Sequence, residues 1–475
     1  MSKTFLFLFS IISTAIFAQQ KNNLDKNIYT ILDNNADKLL KKSKAYSVSI
    51  GIVKDGRVYT KHYGEIDKGK ANKANNNTYF EIASVTKIMT GYLMAKAVLE
   101  KKIHSEDDIR KYLNDPYPNL EYQNIPVRIK DLVSFTSALD RELPDNSEIK
   151  KVHDDSICFR LKKMDENYSK QQFFEDLKTV KLDTVPGIKF KYSNLSLELS
   201  AVILENVYHK SYETLLKENI FIPAKMTSTK MNLGEKEVLA NGYNGNHVLM
   251  PHLSNNLWGS EGYLKSTMAD LTRLLSFELD LKNKIVQETQ RNISNSDQHW
   301  YGYFWDGILA TENGKFCHKH GGAFGTNTYF TVYPELNLGI SIVVNISDKE
   351  TGWEVLTTVW DIAEDLREKQ TEKTIYGYRM TKDNIIFSYT HNKKLDAKLI
   401  KSVSVAGSFN DWNPQNNAYQ MVAKGSGTYE LKLPKSQFEK GNTNEFKFVI
   451  NKVGWTTTPK NALNTENGNL TFKID

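Results

Sequence analysis

Ser84-Val85-Thr86-Lys87 opens a segment running to about Lys101 in which Ile88, Leu93, Met94, Ala97 and Val98 form one apolar face. The spacing predicts a helix that begins at the serine and carries Lys87 one turn further on. Working outward, two runs rich in β-formers precede it, Tyr46 to Val53 and Val58 to Tyr63, separated by Lys54-Asp55-Gly56. Asp-Gly between such runs reads as a hairpin. Before them, Ile28, Ile31, Leu32, Leu39 and Leu40 recur at helical spacing. Residues 104 to 185 read as helices and loops. A second hairpin, Asn327 to Tyr333 and Ile340 to Asn345, turns at Pro334-Glu335-Leu336-Asn337, and a helix from Trp353 to Leu366 follows, burying Leu356, Val359, Trp360 and Ala363 or their neighbours. Helix and strands at one end, strands and helix at the other, predict an α+β domain: an antiparallel sheet built from both chain ends around a helical insertion.

Ser-x-x-Lys recurs at Ser147 and Tyr-x-Asn starts also at Tyr112, Tyr117 and Tyr122, so context chooses among copies. Ser147 sits among Asp140, Arg141, Glu142, Asp145, Lys150 and Lys151 and opens no apolar helix. Ser84 is therefore the candidate nucleophile. A serine hydroxyl needs a nearby base, and Lys87 serves only if burial depresses its pKa. Tyr192-Ser193-Asn194 follows Pro186-Gly187 and precedes an apolar helix, a rigid mount for a catalytic group. Tyr192 is expected to share proton transfer with Lys87, and Asn194 to hydrogen-bond Lys87 and the substrate. His320-Gly321-Gly322 ends a strand-like run, where glycines admit a substrate backbone. The N–H of Ala323 is expected to complete an oxyanion hole with that of Ser84. His318 and His320 alternate onto one strand face, but no ligand partner at metal spacing accompanies them, and neither metal nor cofactor is implied.

Lys3 and the apolar run Phe5 to Ala18 have the layout of a signal peptide, so the chain is expected to be exported, to the periplasm or beyond the cell. A membrane-anchoring helix is the alternative there, and no later segment is long and apolar enough to span a bilayer. With Cys158 and Cys317 alone, no disulfide scaffold is built, and two unpaired thiols are expected. A net charge of +6 spread over 475 residues, without a basic stripe, excludes a nucleic-acid partner. The length predicts two domains. Residues 367–383 turn polar and lose period, marking a linker. Beyond it five β runs follow at short intervals: Ile385 to Tyr389, Val403 to Phe409, Thr428 to Leu433, Glu445 to Ile450 and Leu470 to Ile474. They predict a small β-sandwich.

Residues from about Tyr46 to Leu366 resemble the serine β-lactamase and penicillin-binding protein clan, in its class C-like branch. Besides the three motifs, Phe80-Glu81-Ile82-Ala83, Leu132-Val133-Ser134-Phe135-Thr136-Ser137, Pro186-Gly187 with Phe190, Gly262 to Asp270 and Tyr301-Gly302-Tyr303 match as flanks. The resemblance implies a hydrolase domain over 19–366 that passes through a Ser84 acyl-enzyme, with Lys87, Tyr192, Asn194, His320, Gly322 and Ala323 at the site. A D-alanyl-D-alanine carboxypeptidase or D-aminopeptidase-like peptidase is the first reading. An esterase, a β-lactamase and a non-catalytic penicillin-sensing or glycan-binding protein are the alternatives. Where many β-lactamases carry Lys-Thr-Gly, His320 replaces the cation and Gly321 lacks the hydroxyl, which implies weak carboxylate recognition.

Gly407-Ser408-Phe409-Asn410-Asp411-Trp412, Phe446-Lys447-Phe448-Val449-Ile450 and Trp455 resemble the glycogen-binding type of carbohydrate module, covering 384–475 with an immunoglobulin-like sandwich. Sugar rings lie flat on aromatic faces. By position Trp412 and Trp455 are the platforms, with Lys447 and Asn469 as hydroxyl partners and an α-glucan or other polysaccharide as the ligand.

Overall fold

The computed structural model describes residues 25–151, 153–294, 296, 299–366, 374–391 and 397–474. The expected signal peptide, 1–18, lies outside them. Among the described residues no helix is long and apolar enough to cross a membrane.

A seven-stranded antiparallel sheet organises the first part: β1 (Ser47–Lys54), β2 (Arg57–Gly64), β3 (His299–Trp300), β4 (Gly307–Thr311), β5 (Gly314–Gly322), β6 (Asn327–Tyr333) and β7 (Leu338–Val344), in the order β2-β1-β7-β6-β5-β4-β3. The midline joins the two chain ends, with Ile50 opposite Ile342. The first hairpin turns at Asp55 and Gly56, both at positive φ (51° and 74°), as a two-residue turn requires.

Side chains alternate across this sheet, so each face has its own core. Ile50, Ile52, Ile340 and Ile342 pack under helix α1 (residues 25–43) and the C-terminal helix of this domain. Val53, Val343, Phe330 and Cys317 face the helical insertion. That insertion contains α2 (Thr86–Leu99), α3 (Leu195–Tyr208) and α4 (Met268–Glu278). Helix α5 (Thr351–Asp365) closes the domain, burying Val355, Val359, Ile362 and Ala363. Trp360 was expected in that core and is instead 37% exposed, because its angular position falls with Trp353, outside the buried stripe. Cys158 is half-buried, Cys317 is buried, and both are free.

The C-terminal part is two antiparallel sheets over one core. One has the order β8 (Tyr378–Met380), β9 (Asn384–Thr390), β12 (Thr428–Pro434), β11 (Val422–Gly425). The other runs β10 (Val403–Gly407), β13 (Thr443–Ile450), β16 (Asn469–Lys473), β15 (Thr465–Glu466), with β14 (Gly454–Trp455) also on β13. Phe387, Val405, Phe446, Phe448 and Phe472 fill the space between them. The end of the expected linker is corrected here: Tyr378 and Met380 pack against this core and their strand pairs with β9. Three residues are too few to show a period in the sequence.

Just after strand β14 comes the contact that fixes this part to the first. The backbone N–H of Thr457 donates to Glu312 (2.7 Å), its hydroxyl donates to Glu312 (2.6 Å) and Glu364 (2.8 Å), and Lys460 pairs with Asp365.

Candidate active site

Ser84 lies in a short 3-10 turn, Ala83–Val85, that leads directly into α2. Ala83 holds φ +44°, a strained value for a residue with a Cβ, and this bend presents the Ser84 hydroxyl ahead of the helix. Lys87, on the first turn of α2, is fully buried and reaches back: its Nζ lies 3.0 Å from Ser84 Oγ and also donates to the carbonyl of Glu261. From the loop before α3, the Tyr192 hydroxyl donates to Ser84 Oγ at 3.0 Å. Two segments, 108 positions apart at Ser84 and Tyr192, therefore meet on one oxygen. The decoy Ser147 instead sits on an exposed four-residue helix and bonds Asp145.

Burial drives the Lys87 amine down to about 7, the Lys319 ammonium reinforces the shift, and the carboxylates of Glu261, Asp306 and Glu198 oppose it. Near neutral pH a large fraction of Lys87 is uncharged, as a proton acceptor must be. Burial, with Asp306, pushes the Tyr192 phenol far above its usual range, so it stays protonated. The resting site thus holds one amine able to accept the serine proton and one phenol able to give a proton back. That pairing suits acyl transfer.

Strand β5 supplies the wall, in a register that differs from the expected one. Odd residues point toward Ser84. A Cβ at Gly321 would lie 3.2 Å from Ser84 N and would collide with the Ile82 carbonyl, so only glycine fits. Lys319, with 0% of its surface exposed, sits 5.1 Å from the centre of the Tyr192 ring and pairs with Asp306 at 2.6 Å. Burial alone would raise the Asp306 carboxyl, but the Lys319 charge and the hydrogen bonds from Lys319 and His320 hold it below its usual range.

Even residues point to the other face. His320 stacks on Tyr329 and bonds Asn327 Oδ1 at 2.6 Å, so it is not among the partners of Ser84. The motif that abuts the serine is Lys319-His320-Gly321, with Lys319, not His320, in the cation's place. The N–H of Ala323 is also corrected, because it donates to Thr326 O at 2.8 Å. The His320 N–H points sideways to Asp306 (2.8 Å), and by strand alternation the Gly322 N–H shares that direction, beyond the last β4 pair at Gly307 and His318.

Asn194 is placed differently from expectation as well. Its amide donates weakly to Glu142 (3.4 Å), its Oδ1 is buried without a partner, and Lys87 spends its hydrogen bonds on Ser84 and Glu261. Phe135 stacks on the Tyr192 ring at 4.7 Å. Sequence reasoning missed Lys319, Asp306 and Glu261. Lys319 was within reach, one residue before the motif already singled out; Asp306 and Glu261 carried no signal.

In the C-terminal part Trp412 is half-buried, Trp455 is 43% exposed, and their rings lie 6.2 Å apart. Lys447 is half-buried and feels the Glu312 carboxylate, while Asn469 donates to Glu445 at 2.6 Å. The two tryptophans therefore come together, and of the two polar candidates Asn469 is engaged within the protein.

A serine, a buried lysine and a phenol beneath an antiparallel sheet with a helical insertion define the β-lactamase-like fold. The chain belongs to the Beta-lactamase family, whose profile matches residues 32–363. It is 27% identical to Protein flp of Staphylococcus aureus (strain MRSA252) over 344 residues, 69% of this chain and 64% of that protein. It thus spans under two thirds of the length of the flp proteins. It is 24% identical to the D-alanyl-D-alanine-carboxypeptidase/endopeptidase AmpH of Escherichia coli K12, over 70% of this chain and 88% of AmpH. In fold it matches a β-lactamase/D-alanine carboxypeptidase from Yersinia pestis solved with citrate, at TM-score 0.59 and 22% identity, over 72% of this chain and 99% of that one.

Proposed function

We propose that the protein is an exported serine hydrolase that acts through a Ser84 acyl-enzyme, in the first instance as a D-Ala-D-Ala carboxypeptidase or D-aminopeptidase-like peptidase. The observation that carries this is the 3.0 Å approach of both Lys87 Nζ and Tyr192 OH to one hydroxyl oxygen. Neutral Lys87 takes the Ser84 proton as Oγ attacks the carbonyl carbon. The negative charge moves to the carbonyl oxygen, held by the N–H groups of Ser84 and Gly322. As the C–N or C–O bond breaks, Tyr192 gives its proton to the leaving atom and regains one from Lys87. Water then attacks the ester and gives its proton to neutral Lys87, while Tyr192 gives its own proton to the departing Ser84 Oγ and regains one from Lys87.

The substrate reading follows from charge. In the cation position Lys319 is sealed from solvent and neutralised by Asp306, which argues against strong recognition of a substrate carboxylate, so against an efficient β-lactamase and, within the peptidase reading, toward its D-aminopeptidase-like form. The exposed tryptophans favour one further reading: an immunoglobulin-like sugar-binding module that holds a glycan whose ester or amide the first domain cleaves.

Wild type and Ser84→Ala are incubated with an activated ester, a D-Ala-D-Ala peptide and a penicillin, with turnover and intact mass followed together. A mass adduct and turnover confined to wild type are expected with at least one of them. An adduct without turnover identifies a sensor, and neither effect with any compound ends the hydrolase reading.

A further inference from the structure

We propose that Trp353 and Trp360 on α5 extend the Trp412–Trp455 pair into one aromatic track that takes a neutral polysaccharide across the junction onto the hydrolase domain, as far as the end of β5. The inference rests on the sugar-binding reading of the C-terminal module and adds a second site on the hydrolase domain.

Successive residues turn 100° on a helix, so positions 353, 357, 360 and 364 fall in one stripe along the outside of α5. Two of the four are tryptophans, 58% and 37% exposed, meeting edge-on with centroids 5.6 Å apart. Indole surface of this extent in water is unfavourable unless something covers it. At the lower end of the stripe, Glu364 accepts from the Thr457 hydroxyl at 2.8 Å. Thr457 lies two residues beyond Trp455, and in extended backbone side chains two apart share a side. Trp455 in turn lies 6.2 Å from Trp412. The track therefore continues from one domain to the other without a reversal. It covers about 16 Å of helix and about 7 Å of extended chain before reaching Trp412.

The upper end meets β5, the strand that walls the site, from its other face. Gly352, next to Trp353, abuts the His320 imidazole so closely that a Cβ there would lie 3.1 Å from the ring. His320 is two residues from Gly322, whose N–H is the second oxyanion donor of the proposed mechanism.

Charge selects the ligand. From Thr351 to Asp365 the helix carries Glu354, Asp361, Glu364 and Asp365 and no Lys or Arg; Lys460 pairs with Asp365 and Lys42 and Lys44 face Glu354, which leaves Asp361 and Glu364 as the acids beside the tryptophans. An acidic helix repels anionic lipid and acidic polymers, whereas uncharged sugar rings meet only the indole faces and hydroxyl acceptors.

The test uses the full chain, as wild type, Trp353→Ala/Trp360→Ala and Trp412→Ala/Trp455→Ala. Binding to maltotriose, maltoheptaose and soluble starch is measured, with circular dichroism as the control for folding. The α5 double variant is expected to lose about tenfold in affinity for maltoheptaose and starch while binding maltotriose as wild type does. The module double variant loses all three. If the α5 variant keeps wild-type affinity for the long ligands, or changes only liposome binding or self-association, the track is wrong and the module reading survives. If wild type binds none of the three, the module reading falls and the track with it.

Discussion

Replacing Lys319 with methionine probes how the site sets the charge of its base. The Nζ atoms of Lys87 and Lys319 lie 5.3 and 5.1 Å from the centre of the same Tyr192 ring, so they are no more than about 10 Å apart. At that separation and an effective dielectric constant near 20, two unit charges repel by about 1.7 kcal/mol, a little over one pH unit. The same substitution leaves Asp306 uncompensated, which also favours protonated Lys87. Both effects have one sign: the Lys87 pKa rises from about 7. Since acylation needs the neutral amine, the acid limb of kcat/KM for an activated ester moves about one unit toward higher pH. Activity falls about tenfold at pH 6 and little at pH 9. Because a buried charge without its partner destabilises, Lys319→Met/Asp306→Leu serves as the companion. Its limb should move the same way by less, since the Lys319 contribution outweighs that of Asp306. A limb that stays in place in both variants, or moves to lower pH in Lys319→Met, refutes Lys87 as the titrating base.

Two further outcomes are expected. Gly321→Ala puts a methyl against the Ile82 carbonyl and Ser84 N and should abolish acylation, whereas Gly322→Ala, whose nearest neighbour would be 3.7 Å away, should retain it. Mass-spectrometric labelling of both with an activated ester decides whether the glycine against the serine is Gly321. Glu278 is buried with neither oxygen partnered, and burial pushes its carboxyl from 4.5 to about 8. Its folded pKa is raised, so its stabilising contribution is complete below pH 4.5 and is lost as pH rises to about 8. Glu278→Gln should flatten that slope by an amount on the order of a few kcal/mol. Urea denaturation at pH 5 and pH 8.5 measures it, and an equal slope in both proteins counts against a neutral Glu278.

The elements with strong periods were legible from residues alone. The hairpin at Asp55-Gly56, the helix behind Ser84, the β6–β7 hairpin and five strands of the C-terminal part all lie within a few residues of where pattern placed them. Ser84, Lys87 and Tyr192 were legible too, because their neighbours distinguish a helix start and a pinned loop from charged surface. What stayed hidden was parity on β5. A run of Lys315 to Gly322 alternates in either sense, and only the tertiary fit of Gly321 against Ile82 and Ser84 determines which set faces the nucleophile. Lys319 drew no attention in the sequence because lysine is rarely buried without a partner. Its partner, Asp306, is in a loop thirteen positions away that no local pattern marks.

The pairing of β1 with β7 bears on how this protein comes into being. A ribosome must deliver nearly three hundred further residues after Ser49 before its partner Val343 exists. Until that late ladder closes, the wall carrying Gly321 has no frame to brace it, and a truncated product has no competent nucleophile. Distant pairings of this sort form slowly. On the proposed mechanism, activity therefore switches on only at the end of folding, and nascent chains do not attack acyl groups around them.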